Sequence, residues 1–155
     1  MKKEEFMRKA IELSKENIIN NGGPFGAVIV KDGEIIATGT NRVTDSCDPT
    51  AHAEISAIRA AAEKLNSFDL SGCEIYSSCE PCPMCLGAIY WARLDKLYYG
   101  NTQDDAKEID FDDSFIYDEL KLTPNERQLP SENLLREEAI EAFQQWMETE
   151  NKTAY

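Results

Sequence analysis

One histidine, His52, is all the imidazole this 155-residue sequence offers, so any chemistry that needs that side chain must run through it. Long apolar runs are missing as well: AVIV (27–30) and LGAIYWA (86–92) fall far short of the ~20 residues that span a bilayer. The opening MKKEEFMRKA lacks the apolar core of a signal peptide, which sets the expectation of a cytoplasmic protein. A disulfide framework is not on offer. The five cysteines (Cys47, Cys73, Cys79, Cys82, Cys85) are odd in number, and without export they read as metal ligands or buried thiols. In that setting the Asn151-Lys152-Thr153 sequon acquires no glycan. Basic residues are scarce, 16 against 29 acidic for a net charge of −13. Such a field repels polyphosphate chains and anionic membrane surfaces, so neither nucleic acid nor membrane is an expected partner.

What is present fits one soluble domain over residues 1–155, with no internal repeat or linker. Phe6, Met7, Ala10, Ile11 and Ile18 recur at helical spacing over 3–19. Two β-rich runs, 26–30 and 34–38, flank Asp32-Gly33, a hairpin signal. A second helix is predicted from about Thr50 to Leu65, with Ile55, Ile58, Ala62 and Leu65 as its buried stripe. A strand at 74–77, a helix opened by Pro81 and running to about Arg93, and a strand at 95–99 follow. Beyond an acidic loop come a short helix over 114–121 and a last one over 131–149, with Leu135, Ala139, Ala142, Phe143 and Trp146 on one face. Alternating helices and strands after a hairpin place helices on the faces of a sheet.

Two short pieces carry the chemistry: His52-Ala53-Glu54 and Pro81-Cys82-Pro83-Met84-Cys85. His-x-Glu with Pro-Cys-x-x-Cys is the signature of zinc deaminases. Cys82 and Cys85, three apart at a helix start, project from one face, where the helix N-terminus favours thiolates. With His52 they make three ligands, leaving the fourth tetrahedral position of one zinc ion per subunit open, as catalytic sites require. His52 and Glu54 point roughly 200° apart on a regular helix of ~3.6 residues per turn. They serve one point only if it lies off the helix end, so the metal belongs between the N-termini of the second and third helices. Glu54 is then not a ligand but the proton-transfer group for the activated water, and the backbone N–H of Ala53 is placed to hold a ring.

Plainer readings stand beside these. A fourth ligand from Cys79 would close the site and leave no chemistry. The stiff Glu80-Pro81 path instead leaves Cys79 packed at a strand end. Cys47 and Cys73 read as bystanders. Trp91, Phe143 and Trp146 read as core, Asn41 as a turn residue, and the acidic loop from Asp104 to Asp113 as solvated.

The same residues, with Gly22-Gly23-Pro24-Phe25-Gly26-Ala27-Val28, Asp48-Pro49-Thr50-Ala51 and Tyr90-Trp91-Ala92-Arg93, resemble the cytidine-deaminase superfamily. Phe111-Asp112-Asp113-Ser114-Phe115-Ile116-Tyr117 and the terminal Tyr155 are similar to its branch of small bacterial guanine deaminases. The resemblance implies a three-layer α/β/α sandwich around a mixed five-stranded sheet. It also implies a homodimer in which the C-terminal helix and tail (about 131–155) cross to the partner subunit. The implied reaction is hydrolytic deamination of free guanine to xanthine and ammonia. Phe25 would stack on the purine, Asn41 would hydrogen-bond it, Asp113 would accept from its N–H groups, and Tyr155 would close the pocket. The alternatives are a tRNA adenosine deaminase, another free-base deaminase of cytosine type, and a non-catalytic zinc-stabilised binding domain.

Overall fold

Strand β1 (Gly26–Lys31) is buried along almost its whole length, so the sheet it belongs to is covered on both faces. Its side chains alternate between two cores. Ala27 and Ile29 join Ile75 and the alanines of helix α2 (Ala53–Leu65), while Val28 and Val30 join Phe6 of helix α1 (Lys3–Ile19) and Tyr76. This period-two switch is what a pleated strand imposes. Helices therefore lie on both sides of the sheet, α1 on one and α2 with α3 (Pro83–Trp91) on the other.

The sheet has the order β2-β1-β3-β4, with β2 (Glu34–Thr40), β3 (Cys73–Cys79) and β4 (Lys96–Asn101). β1 pairs antiparallel with β2 and β3, and β3 pairs parallel with β4, so the sheet is mixed. The hairpin turns at Asp32-Gly33, both at positive φ, and a bulge breaks the register between Ile29 and Val30. Among the described residues, 2–155 of this computed structural model, the strands number four and not the five that the resemblance implied. After β4 the chain finds a helix signal instead of another β-rich run. Thr102 and Asp105 exchange capping hydrogen bonds and start α4 (Gln103–Glu108), a helix within the expected acidic loop.

The last helix opens at Arg136 rather than 131, and two other helix starts come later than expected for local reasons. Asp48 Oδ1 accepts from both the backbone N–H and the hydroxyl of Thr50, winding residues 48–52 into a turn, and α2 begins only after an extended His52. Pro83 disfavours helical geometry at the residue before it. Cys82 is therefore extended (φ −67°, ψ 169°) and caps α3, with Pro83 rather than Pro81 as the first helical residue. The buried stripe of α2 is also not the expected one. Ala53, Ala57 and Ala61 face the sheet while Ile55, Ile58 and Leu65 are half-buried at its margins. Gly39 explains this: a Cβ there would sit 2.2 Å from the Ala53 carbonyl oxygen and 2.5 Å from the Ala57 nitrogen. Only small residues let helix and strand approach so closely.

The chain divides into two compact units, Met1–Ser114 and Phe115–Tyr155. The second contains most of α5 (Ser114–Leu120), a turn of 3-10 helix at Pro124–Glu126, and α6 (Arg136–Glu148). Arg127 donates to the carbonyls of Glu119 and Leu122 and ties its first half together. Three aromatics expected in the core are not there: Trp91 is 63% exposed, Phe143 70% and Trp146 46%. Their helical spacing marks apolar faces of α3 and α6 that stay exposed among the described residues. No helix among the described residues is long and apolar enough to cross a membrane.

Candidate active site

His52 and Cys82 occupy equivalent places, each the extended residue that caps a helix, and Cys85 sits one turn into α3. A capping side chain projects past the helix end, so the N-termini of α2 and α3 deliver an imidazole and two sulfurs to one point. His52 Nδ1 lies 3.5 Å from Cys82 Sγ and 3.5 Å from Cys85 Sγ. All three donor atoms fall within 4.8 Å of one another.

These distances test whether a zinc ion fits. Bonds of ~2.3 Å to sulfur and ~2.0 Å to nitrogen at a tetrahedral angle hold the two atoms ~3.5 Å apart, the spacing found here for both pairs. The charges agree. The Cys82 thiol is drawn down to about 4, first by the hydrogen bond from Cys85 and then by His52, despite its burial. That same bond holds the Cys85 proton in place, and the bond to Cys82 raises His52. Negative charge is thus gathered at the helix ends, where the dipoles favour it. Cys79 stands apart from the group. Its sulfur turns to the Thr102 carbonyl at 3.8 Å, and burial pushes its thiol up to about 12. Three donors converge, not four.

Glu54 is buried, and desolvation raises its carboxyl above the usual range. Its Oε1 accepts from the Ser77 hydroxyl at 2.7 Å. The Ala53 N–H belongs to the first helical residue, where the helix offers it no acceptor.

Phe25, just before β1, and Asn41, just after β2, lie together at one end of the hairpin. The Asn41 N–H donates to the Phe25 carbonyl, and Asn41 Oδ1 accepts from the Val43 N–H, so Asn41 is a turn residue as read from the sequence. It is also buried, and its Nδ2 donates to no described residue. Gly23 backs both side chains, since a Cβ there would meet Asn41 Cγ at 3.2 Å and Phe25 Cδ2 at 3.4 Å. The opposite signature falls on Asp113. Most of the acidic loop is exposed, as expected, but Asp113 Oδ1 is buried without any hydrogen-bond partner. Burial raises this carboxyl, and it lies within electrostatic reach of His52 and Cys82. Tyr155 ends the second unit and is exposed.

Three further residues, with no role expected from the sequence motifs, take part. Asn17 Nδ2 donates to the carbonyls of Gly23 and Asn41, both at 2.8 Å, clamping the two loops that carry Phe25 and Asn41. Ser77 holds Glu54, and the Phe111 ring meets Phe25 edge-on at 5.0 Å. Asn17 and Ser77 are small polar residues within regular elements, and only tertiary pairing distinguishes them from their neighbours.

A three-donor metal centre with a buried carboxyl beside it, at the end of a strand in a mixed α/β sheet, defines a zinc-dependent hydrolase. More particularly, the chain belongs to the cytidine and deoxycytidylate deaminase zinc-binding family, whose model matches residues 1–101. It is 51% identical to the guanine deaminase of Bacillus subtilis (strain 168) over all of both chains. The solved structure of the B. subtilis guanine deaminase superposes with a TM-score of 0.97 over 100% of this chain and 99% of the other. A guanine deaminase structure from Nitrosomonas europaea is 39% identical and covers 72% of this chain and 65% of its own, at TM-score 0.70. The tRNA-specific adenosine deaminase of Aquifex aeolicus is 43% identical over 64% of this chain and 66% of its own length.

Proposed function

We propose that this chain hydrolyses free guanine, with water, to xanthine and ammonia, using one zinc ion per subunit held by His52, Cys82 and Cys85. Similarity to a guanine deaminase over the full length supports the reading, whereas the tRNA-directed relative matches less than two thirds of the chain. The observation that carries the choice of substrate is Asp113 Oδ1, a buried acceptor lacking a donor. Guanine presents adjacent N–H groups on one edge. Adenine and cytosine present a ring nitrogen acceptor there and would leave two acceptors facing, a mismatch worth several kcal/mol.

What zinc supplies at such a site is Lewis acidity, which makes water a nucleophile near neutral pH. The protein's own groups do the rest. Phe25 stacks on the purine and Asn41 donates to it from Nδ2. The Ala53 N–H and the Asp113 carboxylate set the ring so that the carbon bearing the amino group faces the attacking water. Glu54 takes the proton released by water at its carboxylate, delivers it to the adjacent ring nitrogen, and moves a second proton to the departing amine. Its burial suits this work, because a carboxyl raised above its usual range both accepts and returns a proton readily.

The reading extends to assembly and place. The chain acts as one zinc-dependent deaminase domain in a cytoplasmic homodimer. Residues from about 131 to 155 cross to the partner, and Tyr155 closes the partner's pocket. The uncovered apolar face of α6, with Phe143, Trp146 and Met147 exposed, supports this, since an amphipathic helix needs a cover. The deciding experiment incubates purified protein with guanine, adenine, cytosine, their nucleosides and a tRNA anticodon stem, and measures ammonia release. Release from guanine alone is the expected result; turnover of the RNA in its place would overturn the assignment.

A further inference from the structure

Ser77 is completely buried in the middle of β3, on the face that packs against α2. Its Oγ lies 2.7 Å from Glu54 Oε1 and 2.7 Å from the carbonyl oxygen of Cys79. The hydroxyl therefore bridges the carboxyl of α2 and the backbone of β3.

Resting on the deamination proposed above, we infer that Ser77 is the positioning residue of Glu54, its buried hydroxyl fixing where the carboxyl points. An apolar side chain there would leave the carboxyl free to turn. The strand backbone anchors the arrangement, because Ser77 is paired to Ala27 across β1 and to Tyr99 across β4. The Cys79 carbonyl, on the same strand, holds the hydroxyl in turn. Proton transfer is steep in distance and angle, so a carboxyl free to rotate loses rate rather than substrate affinity.

The test compares Ser77→Thr with Ser77→Val in the full-length, zinc-loaded protein, assayed with guanine alongside the wild type and Glu54→Gln. Threonine and valine have nearly the same shape, so the pair removes only the hydroxyl, and both suit a strand. The valine variant is expected to lose about 10–100-fold in kcat relative to threonine, with KM and zinc content within a factor of three. A second measurement combines Ser77→Val with Glu54→Gln, in which the hydroxyl has no proton-transfer group left to position. There the valine penalty is expected to vanish. Equal kcat for threonine and valine, or the same penalty with and without Glu54, would overturn the inference. A failure of the deaminase reading looks different: the wild type releases no ammonia from guanine, or Glu54→Gln retains full turnover. Should valine prevent folding, Ser77→Ala in the same two backgrounds gives the same comparison.

Discussion

The ring of Phe111 stands edge-on to the ring of Phe25, with centroids 5.0 Å apart and planes at 86°. Phe111 reaches that position because α4 ends in a Schellman turn. Asp110 is left-handed (φ 71°), and the N–H groups of Asp110 and Phe111 return to the carbonyls of Lys107 and Ala106. Two residues further on lies Asp113. The pair therefore links the ring proposed to stack on the purine with the loop proposed to read its donor edge.

Removing that link should weaken substrate binding without destroying chemistry. Edge-to-face aromatic pairs are worth about 1 kcal/mol, or roughly five-fold in affinity. Phe111→Ala is expected to raise KM for guanine about 5-fold, with kcat changed less. Steady-state kinetics check this, and an unaltered KM would show that the pair does not shape the pocket.

Glu54→Gln keeps the size of the side chain and its contact with Ser77 but cannot shuttle a proton. Turnover should fall by ~10²–10⁴ while the zinc content measured by elemental analysis stays at one per subunit. His52→Ala, by contrast, should lose both. Full activity in Glu54→Gln would falsify the proton-transfer role.

Gly39 meets α2 backbone to backbone, so a methyl group there cannot be accommodated by turning a side chain. Gly39→Ala should push α2 off the sheet and cost about 1–3 kcal/mol, as overpacking does. The expected fall in Tm is roughly 3–10 °C. Because α2 carries His52 and Glu54, zinc affinity should drop alongside, as a chelator competition would reveal.

Asp105 is held below the usual carboxylate range by the backbone N–H and the hydroxyl of Thr102. A carboxyl depressed in the folded state stabilises above its unfolded value of about 3.9. That contribution is lost as pH falls through the folded value. Asp105→Ala should therefore lower Tm at pH 7, and the gap from wild type should close under acid conditions below the depressed value. A constant gap across a pH series of melting curves would place the effect in packing instead.

Deleting residues 151–155 tests the proposal that the tail crosses to a partner subunit. The shortened protein should keep its fold and its zinc, as circular dichroism and elemental analysis would report, yet turn over guanine markedly more slowly. Unchanged kinetics would remove Tyr155 from the pocket.

Much of this protein was decided locally and could be read from the chain. Helical spacing in 3–19, the Asp32-Gly33 turn and the β-rich runs determined α1 and the hairpin, because each signal acts within a few residues. His52-x-Glu54 and Cys82-x-x-Cys85 determined which residues converge, since their spacing at helix starts aims them off the helix ends. Other features depended on contacts distant in sequence. The alanine stripe of α2 exists because Gly39, on another element, permits close approach, and no periodicity within α2 reveals that. Asp113 reads as one more solvated acid until the fold buries its oxygen within electrostatic reach of His52 and Cys82. Asn17 and Ser77 look like ordinary polar residues until the sheet brings them to Asn41 and Glu54, 24 and 23 positions away. Hydrogen bonds between remote residues leave no periodic trace in a single sequence, so only the tertiary structure supplied the shell that holds the site in place.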